Sequence, residues 1–435
     1  MKTRRGPGGA AAGGRTPGGA AKYVLFLVCL MYLITYIDRV NIATAGGIIQ
    51  KEFALSNKWL GFAFSGFGYS YLALQVSGGW LADRFGAHKT LTVSGLVWAG
   101  ATLATGFTTG IASLFMARLL LGIGEGATFP TATRAMAHWT PAGQRGDAQG
   151  IAHAFARIGN SIAPPLVVVL IGVAGWRGAF IALGVVSVGW VVCWTIYFRD
   201  NPREHRGCTP EELARLPEYR AAASRRDPIP WRRLVPRMVP VIAVYFCYGW
   251  TLWLYLNWLP TFFLHGFGLE LKSSAIFSAG VFFAGVVGDT LGGRLSDAIL
   301  RRTNNLALAR SRVVCVFMGL SLLSLIPVLL VHSLVLIAVF LSLAFFFLEI
   351  TIGPMWAIPI DIAPEHSGTA SGLMNTGSAL AAILSPLAFG WVIDLTGNWT
   401  LPFIGSIALL GAGAVLSFFM HPERPLDALH RQAPV

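Results

Sequence analysis

Charge is scarce in this chain. Only 12% of its 435 residues are charged while 54% are hydrophobic, whereas a soluble globular protein carries roughly a quarter charged residues. An ordinary soluble enzyme is excluded on that count, because its surface could not be made polar. Cysteine is sparse too. Cys29, Cys193, Cys208, Cys247 and Cys315 are odd in number, scattered and mostly embedded in apolar stretches, so neither a disulfide framework nor a Cys-x-x-Cys metal site is available and they read as packing residues. No Gly-Lys-Ser/Thr phosphate loop, His-Glu-x-x-His pair or Gly-x-Ser-x-Gly elbow occurs, which removes ATP-driven transport and the commonest hydrolytic sites. Gly122-x-Gly124-x-Gly126 lies inside an apolar run and follows no strand. It reads as a helix-packing seam rather than a dinucleotide turn. No cofactor, no metal and no enzymatic activity are expected.

What the chain has is apolar length. Runs such as Tyr23 to Ile37 and Val313 to Val331 lack the polar spacing of a half-exposed helix. Segments of about 20 residues, enough to cross a bilayer core, fall near 23–43, 58–80, 90–108, 111–133, 148–172 and 177–197, and again near 238–262, 275–297, 311–331, 333–359, 367–391 and 400–420. The expected class is an all-α membrane protein with twelve transmembrane helices.

The formal charge of +13 could advertise a nucleic-acid binder, and its placement decides otherwise. Basic residues gather before the first span, after the second (Arg84, Lys89), after the fourth (Arg134, Arg145), after the eighth and in the tail, and ten arginines occupy the segment from Arg199 to Arg237. The alternate loops hold only Lys51, Lys58, Arg177 and Lys272. By the positive-inside rule both termini and the middle loop are cytoplasmic, and no nucleic-acid partner is implied. Residues 1–21 read as a disordered lead-in without a signal peptide. Residues 198–236 read as a cytoplasmic linker carrying a short amphipathic helix around Glu211 to Ala223, and 422–435 as a cytoplasmic tail. Arginine's predominance over lysine suggests a GC-rich bacterial genome and an inner-membrane address.

The chain repeats itself. Gly79-Trp-Leu-Ala-Asp83-Arg84 closes the second span and Gly293-Arg-Leu-Ser-Asp297 the eighth; Gly146-Asp-Ala-Gln-Gly150 recurs as Gly368-Thr-Ala-Ser-Gly372, and Pro164-Pro165 is echoed by Pro386. Two pseudo-symmetric six-helix bundles, 22–197 and 237–421, would enclose a substrate cavity at mid-membrane. At Gly79 to Gly86 the loop pattern Gly-x-Leu-Ala-Asp-Arg-x-Gly resembles that of the major facilitator superfamily, with Ala87 and His88 in places often basic. The resemblance spans about residues 22–422 and implies that fold. In it, Gly79, Asp83, Arg84, Gly86 and Asp297 form a conformational clasp rather than a substrate contact.

Asp38, Arg39, Arg118, Glu125, Arg157, Asp289 and Glu349 lie at membrane depth. Each costs roughly 2.5–3.5 kcal/mol at a helix centre. Facing lipid unpaired they would together cost on the order of 20 kcal/mol, more than a typical folding free energy. They must face one another or water. In the amino-terminal half two carboxylates, Asp38 and Glu125, stand against three guanidinium groups, Arg39, Arg118 and Arg157. A spare arginine invites an incoming carboxylate, which its planar fork can hold bidentately. Helical spacing puts Tyr32, Tyr36 and Arg39 on one face and turns Asp38 about 100° away towards Asn41. An inert ion-pair network tying the helices together is the competing account.

Tyr36-Ile-Asp38-Arg39-Val-Asn41, Arg118 with Gly122-Ile-Gly-Glu125-Gly, and Gly353-Pro-Met-Trp356-Ala-Ile-Pro359 resemble the anion:cation symporter branch, which includes sugar-acid, hexuronate and galactonate permeases. The resemblance implies that Arg39 takes the substrate carboxylate, that Asp38 and Glu125 carry protons, and that Arg118 bridges them. It also implies that Tyr36, Tyr71, Trp356 and Asn375 recognise hydroxyls or stack. Ala156 stands where related carriers can have a polar side chain, and Glu349 is an addition. The expected function is proton-coupled uptake of a small organic carboxylate by alternating access, by a monomer whose partners are that anion, protons and lipid. The alternatives are a proton-coupled exporter of cationic or drug-like compounds on the same fold and a non-transporting receptor. Topology is directly testable: alkaline phosphatase fused after Gly110 or Gly268 should be active, and fused after Pro217 or Val435 inactive, whereas the reverse pattern would refute the charge-based orientation.

Overall fold

The computed structural model describes residues 19–141, 145–217, 229–363 and 367–426. Among them the ordered elements are all helical. In chain order they are α1 (Ala20–Glu52), α2 (Asn57–Thr105), α3 (Ile111–Gly126), α4 (Thr128–Trp139), α5 (Arg145–Tyr197), the short α6 (Pro210–Arg215), α7 (Trp231–Thr261), α8 (Leu271–Thr303), α9 (Val313–Leu325), α10 (Leu334–Ile350), α11 (Ile352–Ile362), α12 (Ser367–Thr396) and α13 (Phe403–Leu416). Helix is the outcome lipid demands, since only a helix or a closed barrel satisfies every backbone N–H and C=O without water. Among the described residues eight helical stretches are long and apolar enough to cross a membrane. Their outer surfaces carry exposed large apolar side chains such as Val173 at 83%, Phe107 at 70% and Leu330 at 70%. Lipid, not water, is the solvent those faces fit. The protein is a multi-pass integral membrane protein.

Two helices are too long for one crossing. The 49 residues of α2 and the 53 of α5 rise about 73 and 80 Å at 1.5 Å per residue, over twice the hydrocarbon thickness. Each breaks once: Gly86 takes φ 83° and Gly175 takes φ 68°, a left-handed region that glycine enters without a Cβ penalty. The loop expected at 81–89 is therefore a single residue. Its neighbour explains how so tight a break is satisfied. The Asp200 carboxylate accepts from the N–H groups of Ala87 at 2.7 Å and His88 at 3.1 Å, capping the new helix and meeting its dipole. A Cβ on Gly86 would fall 2.5 Å from the Asp200 carboxylate, so space and backbone both require glycine.

The fourth span is also interrupted, at Ala127 between α3 and α4, and Thr128 Oγ1 donates to the Glu125 carbonyl at 2.6 Å. Its counterpart is the break at Thr351 between α10 and α11, where Thr351 Oγ1 donates to the Leu348 carbonyl at 2.6 Å. Of the amphipathic helix expected near Glu211 to Ala223, the structure has Pro210–Arg215; residues 218–228 lie outside the described region.

Helices from the two ends of the chain meet directly. Helix α2 packs on α3 and α12, α5 on α1 and α8, and α7 on α12 and α1. Several contacts sit near the face where α1 ends and α2 begins. Asp394 of α12 accepts from the N–H of Asn57 at 3.0 Å, its side-chain amide at 2.9 Å and the N–H of Lys58 at 2.6 Å, so a carboxylate of one set of helices caps a helix of the other. Thr261 Oγ1 donates to the Ala43 carbonyl at 3.2 Å.

The glycine seam of α3 packs as its sequence suggests. A Cβ on Gly122 would stand 2.3 Å from the Phe67 carbonyl and one on Gly124 2.4 Å from the Trp98 backbone. Gly122→Ala should lower folded yield and cost about 1–3 kcal/mol through overpacking, whereas Gly172→Ala, with no atom within 4 Å, should leave both unchanged. Size-exclusion monodispersity and thermal unfolding of the two purified variants check this.

Candidate functional site

The site grows from α1. Its register turns Tyr36 and Arg39 inward together, and Arg39 Nε meets Glu125 Oε2 of α3 at 2.7 Å, with the two side chains 3% and 0% exposed. Aromatic rings surround the guanidinium: Tyr36, Phe67, Tyr71, Phe129 and Trp253 have centroids 4.7, 5.1, 5.0, 5.0 and 5.8 Å from Cζ. Their π faces hold the cation where water does not. Neither Arg39 Nη2 nor Glu125 Oε1 has a hydrogen-bond partner, although both are buried. Such groups cost free energy until something answers them.

Asp38 turns the other way and accepts from Asn41 Nδ2 at 3.3 Å and from Ser187 Oγ of α5 at 3.3 Å. Arg118, one helix over, reaches the Asp38 carbonyl with Nη1 at 3.5 Å. Its Nε and Nη2 have no hydrogen-bond partner. Arg118 thus stands between the Asp38 backbone and the Phe67 ring, 5.4 Å away, with donors to spare.

The groups around this pair come from both ends of the chain. Asn375 Nδ2 of α12 donates to Gln75 Oε1 at 2.6 Å and lies 3.4 Å from the Tyr71 hydroxyl. Trp356 Nε1 donates to the Tyr245 hydroxyl at 3.0 Å, and the His153 ring stands 5.8 Å from Trp356 and 5.4 Å from Tyr32. Tyr36, Arg39, Tyr71 and Glu125 are in mutual reach, Asp38 and Arg118 lie just behind, and Asn375 and Trp356 join from the carboxy-terminal helices. Asn160, one turn beyond the buried Ala156, is 1% exposed and has both amide atoms unpartnered.

One expectation changes. Arg157 is not a surplus cation of the amino-terminal helices: its Nε lies 3.3 Å from Asp289 Oδ2 and 3.0 Å from Glu349 Oε2. Counting only the first half's own acids had hidden these partners, which come from α8 and α10. The unbonded donors of Arg39 and Arg118 carry the case for an anion instead.

In the loop motif the side chains of Gly79 and Asp83 lie outside the described residues. Arg84 is exposed, with Cζ 5.7 Å from the Phe85 ring. In the second copy, Arg310 binds Asp297 at 3.2 Å, Asp361 at 3.2 Å and the Ser296 hydroxyl at 2.5 Å, a clasp between α8 and α11. Sequence reasoning missed Phe67, Phe129 and Trp253. Phe67 and Tyr71, four apart on the helix that follows α1, were a readable signal; Trp253, from the other end of the chain, gave none.

A membrane-spanning helical fold with a buried, aromatic-caged guanidinium beside acids is the anatomy of a secondary transporter. Residues 28–386 match the profile of the Major Facilitator Superfamily, and the chain belongs to that superfamily. It is 48% identical over 413 residues to the probable sulfoacetate transporter SauU of Cupriavidus necator, covering 94% of this chain and 96% of that one. It is 30% identical over 421 residues to the probable galactarate/D-glucarate transporter GudP of Bacillus subtilis, covering 92% and 90%. A D-galactonate transporter of Escherichia coli is 28% identical, with 91% and 95% covered. The fold is similar to the crystal structure of a bacterial homologue of the human lysosomal transporter Spinster, with a TM-score of 0.75 at 16% identity over 93% of this chain and 97% of that one.

Truncating Glu125 tests how much the central pair matters. Glu125→Ala leaves Arg39 buried without its acid and should cost about 3–5 kcal/mol, while Glu125→Gln keeps an acceptor and should cost less. Thermal unfolding of the two proteins in detergent should rank them in that order.

Proposed function

We propose that the chain is a proton-coupled symporter that takes up a small organic anion by alternating access. It would consist of two six-helix halves, 22–197 and 237–421, with α2 and α5 each counting as two crossings at Gly86 and Gly175. Residues 198–236 would form the cytoplasmic linker, and the protein would lie in a bacterial inner membrane with both termini inside. The observation that carries the reading is the Arg39 guanidinium, enclosed by rings, paired once and with Nη2 unanswered. A cationic substrate would have to compete with Arg39 for Glu125, whose Oε2 is already engaged.

The chemistry follows from charge. While Glu125 is ionised it holds Arg39; a proton on Glu125 ends the ion pair and frees the fork for a carboxylate or sulfonate oxygen. Arg118 keeps Asp38 and Glu125 electrostatically linked, so the two acids load as a set. The relatives support a small acid, and the 48% identity to a sulfoacetate transporter puts sulfoacetate first and sugar acids second. Sulfoacetate is a dianion, so two protons make its entry electroneutral. Each further proton would add about 2.3 kcal/mol per 100 mV. Asn160, with both amide atoms unpartnered, supplies the polar helix-five group that Ala156 lacks.

Radiolabelled sulfoacetate, D-glucarate and D-galactonate offered to proteoliposomes with an acidic exterior test the reading. Sulfoacetate should accumulate and its uptake should collapse with a protonophore. Asp38→Asn and Glu125→Gln should abolish uphill accumulation while counterflow persists. Arg39→Lys should weaken transport about 10- to 100-fold, the loss of a charge-assisted hydrogen bond of ~1.5–3 kcal/mol. Undiminished uphill uptake in both acid variants would sink the mechanism.

A further inference from the structure

We infer that Glu349, together with Asp289 and Arg157, forms a second proton-binding site, separate from Asp38 and Glu125 and spanning the two ends of the chain. Its role in the transport cycle rests on the symport reading above; its existence as a proton site does not.

Geometry and charge carry this. One guanidinium from α5 faces two carboxylates, from α8 and α10, both on the same nitrogen: Asp289 Oδ2 at 3.3 Å and Glu349 Oε2 at 3.0 Å from Arg157 Nε. The two oxygens are thus at most about 6 Å apart, a separation at which like charges oppose each other's ionisation. The Nε–H makes its hydrogen bond to Asp289. Glu349 Oε1 accepts from the Tyr248 hydroxyl at 2.9 Å, but Glu349 Oε2 is buried and accepts none. It is the atom left for a proton. With Glu349 protonated, Arg157 and Asp289 form a neutral pair. With both acids ionised the cluster carries one uncompensated negative charge, with Glu349 fully buried and Asp289 11% exposed, which is costly.

Of the surrounding groups only the His153 imidazole, which interacts with Asp289, could offset that charge. The titratable groups facing the cluster are Tyr36 of α1, whose ring centroid is 5.6 Å from Arg157 Cζ, His153 one turn before Arg157 on α5, and Tyr245 and Tyr248 of α7. Helix α9, packed against α10, carries no acidic or basic residue. On α8, Gly285 and Gly288 bring the backbone so close that an added Cβ would stand 3.1 and 3.3 Å from the Glu349 side chain.

The internal repeat points to the same residue. Glu349 lies 224 positions after Glu125, close to the 222 that separate Gly146 from Gly368. Both glutamates sit two residues before a break in their span, at Ala127 and Thr351. Both are 0% exposed and each faces an arginine of the amino-terminal helices. In the symport cycle a proton here would weaken the tether that Arg157 makes to the carboxy-terminal helices, from two anionic partners to one, and so ease their separation.

Full-length protein in proteoliposomes, with the membrane potential clamped, tests the site. Glu349→Gln and Asp289→Asn each remove the surplus charge and leave Arg157 one acid, so both should stay monodisperse. Each should lower the sulfoacetate accumulation ratio about tenfold per unit of imposed pH gradient, the worth of one coupled proton. A second measurement needs no substrate: the acid-minus-alkaline infrared difference spectrum of wild type should contain a protonated-carboxyl band that both variants reduce. An unchanged band in both variants overturns the site. Should wild type accumulate neither sulfoacetate nor D-glucarate, the symport reading fails and the infrared band alone decides the inference.

Discussion

Everything at the centre of this protein follows from the burial of charged side chains between its helices. Seven ionisable side chains sit where a lone charge costs several kcal/mol, and the fold answers each with a neighbour rather than with solvent. Arg39 has Glu125 and a ring of aromatic faces; Arg157 has two acids; Asp38 has an amide and a hydroxyl. The answers are incomplete in a patterned way. Donors of Arg39, Arg118 and Arg157 are left without acceptors. A fold selected for stability alone would cover such donors or replace the charges with apolar packing, which is often the more stable choice. A fold that must accept an anion has reason to leave them open.

Glycine is what lets the charges converge. Gly66 of α2 lies against Arg118, and Gly285 and Gly288 of α8 lie against Glu349. Small residues substitute for the hydrophobic drive that helices in lipid lack, because close backbones recover dispersion contacts that lipid tails would otherwise supply equally well. The same close approach excludes water, which strengthens every electrostatic contact inside. Packing and charge are therefore one design: loosening a glycine seam would also wet the ion pairs.

Most of the fold was legible in the sequence, and so was the core of the candidate site. Apolar length announced the all-helical membrane class, and helical spacing alone put Tyr36 and Arg39 on one face and Asp38 on another. Two kinds of feature were hidden. Where one residue does the work of a loop, as Gly86 does, the flanking sequence still reads as helix on both sides. The capping Asp200 is more than a hundred positions away. Where partners come from the other end of the chain, as with Arg157 and Glu349 or Arg39 and Trp253, local periodicity says nothing. Assigning Arg157 to the acids of its own half was the natural reading and miscounted the charge.

The corrected count changes what the protein's centre demands. Three guanidinium groups face four carboxylates, so with every group ionised the interior is at −1, not +1. Adding an anion to that state would deepen the imbalance, and a dianion would deepen it twice. In the proposed symport, protons would relieve that imbalance: one on Glu125 would release Arg39 and cancel a negative charge, while one on Asp38 or Glu349 would cancel a charge and leave the arginine hydrogen bonds as they are. Burial itself thus supports the proposed coupling of anion entry to proton entry. A channel-like leak of the anion alone would have to carry an uncompensated charge through a space that excludes water, and the same desolvation that makes the arginines attractive makes that path expensive.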